Sequence, residues 1–415
     1  MKVGLIGEKL GHSFSKPIHE QIADYTYDIM PLSRDEFPIF MENKAFDAIN
    51  VTIPYKEMVI PYCDFVDSKA AEIGAVNAIK KLDGKLYATN TDFDGLKWMI
   101  ENHFDLNGKI VAVCGSGGTS KTAFAVCKAL GAKEIIRVAR GDKGADFINY
   151  EALKDRKDIE IILNTTSVGM LPEIMATIVD LDDFPNCQGV IDVVYNPLLT
   201  SLCRQAKQKN IPYICGLEML VGQAVAAVEF FTDKTVDRSV IAEITQKLYH
   251  DKQNIVLIGM PSCGKSSLGR RLADKLGMDF VDMDLYIEER TGREIPQIFE
   301  EEGEEGFRAI ETENCLELAK LNHTVISCGG GVVKNPLNMQ ALSLNGLVVY
   351  IKRNTNKLHT GGKRPLSSDK KAVREMAKQR LPLYEKYSDI TVENNGYFLY
   401  ALDKLVEVCN ENTHT

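Results

Sequence analysis

The sequence lacks any apolar run of the roughly 20 residues that a membrane-spanning helix needs. Its most apolar window, Gly216 to Phe231, is interrupted by Glu218, Gln223 and Glu229. The amino-terminal segment MKVGLIGEKL also lacks the apolar stretch and cleavage site of a secretory signal. These absences predict a cytoplasmic protein without a membrane segment.

Positive charge is scarce relative to negative charge. The chain has 49 lysine and arginine residues against 58 aspartate and glutamate residues, which gives a formal net charge of -9 at pH 7. A negative molecule is not drawn to nucleic acid phosphates or to anionic lipid. We therefore expect neither a nucleic-acid nor a membrane partner, whereas small anionic ligands still fit pockets that are locally basic.

No two of the ten cysteines form a C-x-x-C pair. Several of them, such as Cys114, Cys203 and Cys215, stand in apolar segments, which is typical of small core residues. The sequence thus favours neither a disulfide framework nor a zinc site.

Two segments share the pattern of a β-branched apolar run, a glycine-rich turn and an amphipathic helix. In Lys109 to Leu130, the run Ile110 to Cys114 predicts a buried parallel strand, and Gly131 ends the following helix. In Asn254 to Leu276, the run Ile255 to Gly259 predicts the strand. Both segments predict βαβ units, so the fold class is α/β with parallel sheets.

The second glycine-rich turn, Gly259 to Ser266, reads GMPSCGKS and matches the phosphate loop G-x-x-x-x-G-K-[ST]. Backbone N–H groups of such a turn, here around Gly259 and Gly264 and continuing to Ser267, hold phosphates. We expect Lys265 to neutralise the β- and γ-phosphates of ATP and Ser266 to coordinate Mg²⁺.

Downstream, Asp282 and Asp284 in FVDMD are predicted to lie on one side of a strand end. That position suits one carboxylate near magnesium and one at a substrate hydroxyl. Arg308 in GEEGFR, a triple glycine after the strand TVIS, and Arg380 in QRLPLY complete the set. In this order, with R-P-L between them, the motifs resemble shikimate kinase over residues 251 to 410.

That resemblance implies roles for each motif. Arg308 and Arg380 would hold the substrate carboxylate, and Asp284 would orient the hydroxyl that is phosphorylated. Asp282 would lie near magnesium. The backbone of Gly329, Gly330 and Gly331 would approach the substrate ring. Arg364 would close with a lid over the ATP phosphates. The chain departs from the family at His359-Thr360, where Arg-Thr is usual, and at Ser367.

The first glycine-rich turn, GSGGTS, suggests a dinucleotide site. Its glycines Gly115, Gly117 and Gly118 follow a strand and open a helix, with Ser120 where a third glycine is usual. After the next strand, VARGDKG offers Arg140 and Lys143 where an NAD enzyme would carry an acidic residue. Cations there favour NADP, although Asp142 in the same loop has the opposite charge.

Two polar motifs, NVTIPYKE with Lys56 and TNTDFDG with Asp92, are predicted at strand ends that face a cleft. Together with GHSFS, GAVNA, NTTSVGM, DVVYNPL and GLEMLVGQA, they resemble shikimate dehydrogenase over residues 1 to about 250. The resemblance implies a catalytic pair of Lys56 and Asp92. It also implies substrate contacts at Ser13, Ser15, Thr52, Asn77 and Gln223, and a nicotinamide border at Tyr195 and Gly216. Departures are Lys16 before Pro17 and Ala78 after Asn77.

The resulting prediction is a fused α/β enzyme. We expect a substrate domain at 1–98, a Rossmann-like NADP domain at 99–216, helices at 217–250 that return to the substrate domain, and a P-loop, NMP-kinase-like domain at 251–415. The expected reactions are reduction of 3-dehydroshikimate with NADP(H) and phosphorylation of shikimate with ATP and Mg²⁺. The length alone predicts two or three domains, and no Pro-, Gly- or Ser-rich linker marks the junction near 250–253.

Two alternatives remain open at this stage. An enzyme distinguishes quinate from shikimate by the few contacts to one extra hydroxyl. The first half could therefore prefer quinate, and the second half could be a divergent small-molecule kinase. The same domains could instead form a non-catalytic metabolite sensor, because enzyme-like folds also host binding functions. The oligomeric state cannot be read from the sequence.

Overall fold

The computed structural model describes residues 1–11, 14–358 and 370–411. The chain forms two compact units: Met1–Asn196 with Thr200–Thr245, and Pro197–Leu199 with Gln246–Thr415. The division falls inside the helix Ser239–Lys252, which ends within the predicted junction. Two predicted site residues, Ser13 and Arg364, lie outside the described residues, as do His359, Thr360 and Ser367.

The first unit contains two six-stranded sheets. The strands of the amino-terminal sheet are Val3–Gly7 (β1), Tyr27–Pro31 (β2), Ala48–Val51 (β3), Phe65–Val66 (β4), Ala78–Leu82 (β5) and Lys85–Thr89 (β6). Their order is β2-β1-β3-β5-β6-β4. This sheet is mixed, because β5 runs antiparallel to both β3 and β6.

The second sheet of this unit has the nucleotide-binding topology. Its strands are Ile110–Cys114 (β7), Glu134–Val138 (β8), Phe147–Ile148 (β9), Ile161–Asn164 (β10), Gly189–Asp192 (β11) and Tyr213–Cys215 (β12). All neighbours are parallel, in the order β12-β11-β10-β7-β8-β9. The order reverses between β7 and β10, and ligands of open α/β sheets bind at the carboxyl ends of the strands at such a switch point.

The helices pack against these sheets, and most of them come directly after a strand in the sequence. In the first unit they are Ser15–Ile22 (α1), Glu36–Asn43 (α2), Ser68–Ile73 (α3), Thr91–His103 (α4), Gly118–Ala129 (α5), Tyr150–Lys154 (α6), Ser201–Gln208 (α7) and Leu217–Thr232 (α8), and the chain continues into Ser239–Lys252 (α9). Gly131, with φ 77°, follows the end of α5 as expected for the residue after a helix. The predicted boundary at 98/99 falls within α4.

The second unit is built on one five-stranded parallel sheet. Its strands are Asn254–Ile258 (β13), Asp279–Asp282 (β14), Thr324–Ser327 (β15), Gly346–Lys352 (β16) and Ile390–Glu393 (β17), in the order β14-β15-β13-β16-β17. Its helices are Lys265–Leu276 (α10), Met283–Thr291 (α11), Ile295–Leu318 (α12), Pro336–Leu342 (α13), Lys370–Tyr387 (α14) and Phe398–Glu411 (α15). The β-branched central strand β13 is buried along its whole length, as both faces of a covered parallel sheet require.

The predicted fold class is confirmed, with two local corrections. Asp284 does not lie on a strand end, because β14 stops at Asp282 and the Asp282 carboxylate accepts the Asp284 backbone N–H at 3.1 Å, which starts α11. The acidic stretch Glu300 to Glu305 (EEEGEE), whose charge run predicts a solvated turn, is instead part of α12, which continues through it with a kink at Gly303 (φ 71°). Among the helices of the described segments, none is both long and apolar enough to cross a membrane.

Candidate active sites

A cleft of about 340 Å³ opens in the first unit at the ends of strands from both of its sheets. It brings together eight of the predicted site residues: Ser15, Thr52, Lys56, Asn77, Asp92, Tyr195, Gly216 and Gln223. The lining also includes Lys9, Asn50 and Thr119, which were not predicted as site residues.

Lys56 and Asp92 meet inside this cleft. The Lys56 Nζ lies 2.5 Å from Asp92 Oδ2, and their side chains are only 16% and 10% exposed. Asp92 stands in the first turn of α4, whose N-cap Asn90 accepts the Phe93 backbone N–H at 3.1 Å. A helix amino terminus stabilises a carboxylate there. The pair is thus a shielded proton donor and acceptor within reach of a ligand in the cleft.

Buried amides fix the position of Asp92. Asn77 donates through Nδ2 to Asp92 Oδ1 at 2.8 Å and to Thr91 Oγ1 at 3.0 Å, while its Oδ1 accepts the Thr91 backbone N–H at 2.6 Å. Asn50 in turn donates to the Asn77 carbonyl at 3.2 Å and accepts the Tyr27 hydroxyl at 2.8 Å. With most of its polar atoms engaged, this network leaves Asp92 little rotational freedom.

Two glycines let α4 approach α8 closely. A Cβ on Gly95 would lie 2.6 Å from both the Gln223 nitrogen and the Met219 carbonyl oxygen. A Cβ on Gly222 would lie 3.2 Å from the Gly95 Cα. Because α4 carries Asp92 and α8 carries Gln223, this contact sets the distance between two of the predicted site residues.

A buried carboxylate shapes the opposite wall. Asp192, at the end of β11, accepts the Val194 backbone N–H at 3.0 Å, the Asn164 amide at 2.9 Å and the Thr200 hydroxyl at 2.8 Å. Burial raises the pKa of Asp192 to about 6, and these three hydrogen bonds oppose the shift. The turn held in this way carries Tyr195, whose ring contacts Phe14 edge-on with centroids 5.9 Å apart.

The glycine-rich turn GSGGTS lies at the topological switch point. Gly115 has φ 132°, and a Cβ there would lie 2.3 Å from the Thr165 hydroxyl oxygen, whereas a Cβ on Gly117 would meet nothing within 4 Å. The backbone at Gly117 is therefore open to a ligand. Arg140 and Lys143 are exposed and form no hydrogen bond or ion pair with the described residues. Neither of them lines the cleft with Lys56.

A second cleft, of about 570 Å³, opens in the second unit at the carboxyl ends of its strands. It brings together nearly all of the described residues predicted for the kinase: Gly264, Lys265, Ser266, Ser267, Asp282, Asp284, Arg308, Gly329, Gly330, Gly331 and Arg380. Gly259 precedes the loop at the end of β13 and has φ 147°. The lining further includes Glu288, Glu311 and Arg353, which were not predicted.

The phosphate loop is held from inside and from behind. The buried Lys265 ammonium donates to the carbonyls of Gly259 at 3.0 Å and Met260 at 3.1 Å. Gly264, with φ 105°, is the N-cap of α10. The amide of Asn394, which directly follows β17, donates to the Cys263 carbonyl at 2.8 Å. The Ser266 hydroxyl lies 3.2 Å from that of Ser327 on the neighbouring strand.

The triple glycine is explained by close approach of functional side chains. A Cβ on Gly329 would lie 2.9 Å from an Asp284 carboxylate oxygen, and one on Gly331 would lie 2.2 Å from the Arg308 guanidinium. The Gly330 carbonyl accepts from Arg380 at 2.9 Å. A side chain at Gly329 or Gly331 would therefore displace a predicted substrate-binding group, and one at Gly330 would lie 2.8 Å from Pro261 in the phosphate loop.

A buried ion pair orients Arg308. Its guanidinium donates to Glu311 at 2.7 Å and to Glu304 at 3.3 Å. The Glu311 side chain is 1% exposed, and burial raises its pKa while the Arg308 charge opposes the shift. The spacing of Arg308 and Glu311 by three residues on one helix was the sequence signal that could have revealed this partner.

Three segments of the chain match models of known protein families. Residues 5–79 match the model of the shikimate dehydrogenase substrate binding domain, and residues 216–244 match that of the shikimate 5'-dehydrogenase C-terminal domain. Residues 261–409 match the shikimate kinase model.

Curated relatives cover each part of the chain separately. The shikimate dehydrogenase (NADP(+)) of Clostridium beijerinckii is 34% identical over 268 residues, which span 60% of this chain and 97% of that protein. The shikimate kinase of Clostridium botulinum is 40% identical over 160 residues, 38% of this chain and 94% of that protein. Among solved structures, shikimate dehydrogenase 1 from Peptoclostridium difficile has a TM-score of 0.56 and 33% identity, covering 60% of this chain and 98% of that one.

Proposed function

Because this chain belongs to the shikimate dehydrogenase family over its first unit and to the shikimate kinase family over its second, we propose that it catalyses two consecutive reactions. The first is the NADPH-dependent reduction of 3-dehydroshikimate to shikimate. The second is the transfer of a phosphoryl group from ATP to the 3-hydroxyl of shikimate. The observation that carries the proposal is that each unit has its own cleft with the reactive side chains of its family assembled in it.

In the first cleft, Lys56 is proposed to give a proton to the C3 oxygen of 3-dehydroshikimate. NADPH, when bound, supplies the hydride to C3. The Lys56 Nζ is held by Asp92 inside the cleft, where its ammonium can act as the general acid. Asn77 and Gln223 line the same cleft and offer amide groups to the ring hydroxyls. Ser15 lies at the α1 amino terminus, where a substrate carboxylate is favoured.

The residues of the nucleotide loop fit NADP better than NAD. The backbone at Gly117 is open for a pyrophosphate to approach the α5 amino terminus. Arg140 and Lys143 offer cations that no described residue neutralises, and a 2'-phosphate requires such cations. The Asp142 carboxylate accepts the Gly144 backbone N–H at 2.9 Å, so its opposing charge is engaged within its own loop.

In the second cleft, Asp284 is proposed to accept a hydrogen bond from the attacking 3-hydroxyl, while Arg308 and Arg380 hold the carboxylate of shikimate. Lys265 lies at the phosphate loop, where its ammonium neutralises phosphate charge. Magnesium, when bound, neutralises the charge on the transferring phosphates. Ser266 and Asp282 fit this ion as oxygen ligands beside the ATP phosphates. In the described part of the chain, no three His, Cys, Asp or Glu side chains cluster as ligands of an ion held by protein alone.

The decisive experiment is mass spectrometry of the products after the purified chain is incubated with 3-dehydroshikimate, NADPH and MgATP. We expect shikimate 3-phosphate. Lys56→Ala should lower the reduction rate by about 10² to 10⁴, as expected for loss of a general acid, while phosphorylation of added shikimate continues. Lys265→Ala should stop the reaction at shikimate.

Each other outcome has a distinct meaning. Accumulation of shikimate in the wild type would overturn the kinase half of the proposal, and no conversion at all would favour a binding function. A higher rate on quinate than on shikimate, measured in the oxidative direction, would reassign the substrate. Equal loss of both activities in either variant would contradict separate sites.

A further inference from the structure

Arg353 is the basic residue of the second cleft that forms no hydrogen bond or ion pair with any described residue. It follows β16 directly and lines the cleft together with the phosphate-loop residues Pro261, Ser262 and Gly264. Because β16 pairs in parallel with β13, their carboxyl ends lie side by side. A Cβ on Gly259 would lie 2.7 Å from the Ile351 carbonyl oxygen, which shows how close the two chain segments run.

The other two arginines of this cleft have partners within the described residues. Arg308 is held by Glu311 and Glu304, and Arg380 donates to the Gly330 carbonyl. The Nε atoms of all three arginines are buried without an acceptor, but the Arg353 guanidinium, unlike the other two, forms no hydrogen bond or ion pair with any described residue. A buried N–H group without an acceptor is unfavourable, so a fold retains one chiefly where a ligand completes it.

The charges of the cleft indicate what kind of ligand that is. Its acidic side chains are Asp282, Asp284, Glu288 and Glu311, and its basic side chains are Lys265, Arg308, Arg353 and Arg380. The described charges therefore balance only if Arg353 is counted. Since Arg353 pairs with none of the four carboxylates, its charge is available to an anion that enters beside the phosphate loop.

We propose that Arg353 is a phosphate-binding residue of the second active site. A planar guanidinium donates two parallel hydrogen bonds to a phosphoryl group, a geometry that lysine does not reproduce. The inference rests on the proposed kinase function, and it adds a residue to the phosphate site beyond Lys265 and the loop backbone. The phosphate belongs either to the nucleotide or to the phosphorylated product, and binding measurements separate these two sources.

The test uses the full chain with Arg353→Gln, Arg353→Lys and, as a matched control, Arg374→Gln. Arg374 is an exposed arginine of α14 that does not line the cleft. Dissociation constants for ADP with Mg²⁺, adenosine, shikimate 3-phosphate and shikimate are measured by calorimetry or by competition. From the usual strength of hydrogen bonds to charged groups, we expect Arg353→Gln to weaken ADP binding by about 10- to 100-fold. The affinity of Arg353→Lys for ADP should be intermediate, and the affinity for adenosine should be unchanged in both variants.

A loss confined to shikimate 3-phosphate, with shikimate unchanged, would support the same role with the product as the source of the phosphate. Unchanged affinity for both phosphorylated ligands, or an equal loss for adenosine and ADP, would overturn the proposal. The unfolding temperature gives an independent readout. A merely structural arginine would stabilise the fold, whereas removal of a buried donor without an acceptor should leave the unfolding temperature unchanged or higher. A wild-type chain that binds no ADP would overturn the kinase function and this inference with it.

Discussion

His19 shows how a buried polar residue supports the wall of the first cleft. Its ring is fully buried, stacks on Tyr27 with centroids 4.2 Å apart, and shares a 2.8 Å hydrogen bond with the Tyr25 hydroxyl. Tyr27 then donates to Asn50, which lines the cleft. Burial lowers the pKa of His19 to about 3, so the imidazole is neutral in the folded chain at neutral pH.

This burial predicts a specific acid sensitivity. In the unfolded chain the imidazole has its ordinary pKa near 6.5, so between pH 6.5 and about 3 the unfolded state binds an extra proton. The free energy of unfolding should therefore fall as the pH falls through this window, by about 3 kcal/mol at pH 4.5. His19→Phe, which keeps the aromatic stack, should flatten that slope.

The measurement can be confined to the first unit. The single tryptophan, Trp98, lies on α4, so its fluorescence follows the unfolding of that unit. As a matched control, His103→Gln changes a histidine of the same unit whose side chain is 42% exposed and lies 2.7 Å from Glu218, and it should not reproduce the flattening expected for His19→Phe. An identical pH slope in His19→Phe and wild type would show that His19 is not the source of the sensitivity.

Residues outside recognisable motifs were the ones that the sequence could not predict. Lys56 and Asp92 belong to motifs, and the structure brings them together. Glu311 and Arg353 belong to none, and a lone charged residue in a sequence is usually a solvated one. The three-residue spacing suggests Glu311 as a partner of Arg308, but only the structure shows that Glu311 is buried there and that Arg353 forms no hydrogen bond or ion pair with a described residue.

At the scale of elements, the contact between α4 and α8 controls the geometry of the first cleft. The two helices approach at Gly95 and Gly222, one turn from Asp92 and next to Gln223, respectively. A methyl group at Gly95 would overlap backbone atoms of α8, which cannot rotate away as a flexible side chain could. The helices must separate to accept it.

Gly95→Ala should therefore move Asp92 away from Gln223. We expect a destabilisation of about 1–3 kcal/mol, typical of overpacking, and a loss of reduction rate, with the phosphorylation rate unchanged. Gly222→Ala, where the nearest atom is 3.2 Å away, should have the same effects to a smaller extent. Trp98 fluorescence and separate assays of the two reactions check this. If Gly95→Ala kept the stability and the reduction rate of the wild type, the close contact between α4 and α8 would not control the geometry of the first cleft.

Element boundaries explain where the sequence prediction succeeded and where it failed. Strands such as β7 and β13 were predicted because a β-branched apolar run between polar turns has few other uses in a globular chain. Asp284 was misplaced because the prediction extended the strand by alternation, whereas the Asp282 side chain caps a helix two residues earlier. The acidic run Glu300 to Glu305 suggested a solvated turn, but α12 continues through it and is only kinked at Gly303 (φ 71°).

At the scale of the whole molecule, the two clefts lie in separate compact units of one chain. The proposed product of the first is the proposed substrate of the second, and shikimate is small enough to diffuse between molecules. Two defective variants should therefore complement each other. A mixture of Lys56→Ala and Lys265→Ala proteins should convert 3-dehydroshikimate to shikimate 3-phosphate, although neither variant does so at a comparable rate alone.

The complementation is followed by the appearance of shikimate 3-phosphate over time. Each molecule retains one working site, so an equimolar mixture should approach half the rate of an equal total amount of wild-type protein once free shikimate has accumulated. A persistent deficit at saturating shikimate would mean that each substitution also damages the other unit. A mixture no faster than either variant would contradict exchange of the intermediate through solution.

The resting position of Lys265 has a consequence for how the nucleotide enters. The Lys265 ammonium donates hydrogen bonds to the Gly259 and Met260 carbonyls, so these two oxygens occupy acceptor positions that phosphate oxygens would take. When a nucleotide binds, its phosphate oxygens can replace these carbonyls as acceptors one at a time. The Lys265 ammonium then keeps at least one hydrogen bond throughout the exchange. The contribution of Lys265 to affinity is accordingly the difference between phosphate and carbonyl as acceptors, rather than the full strength of an ion pair.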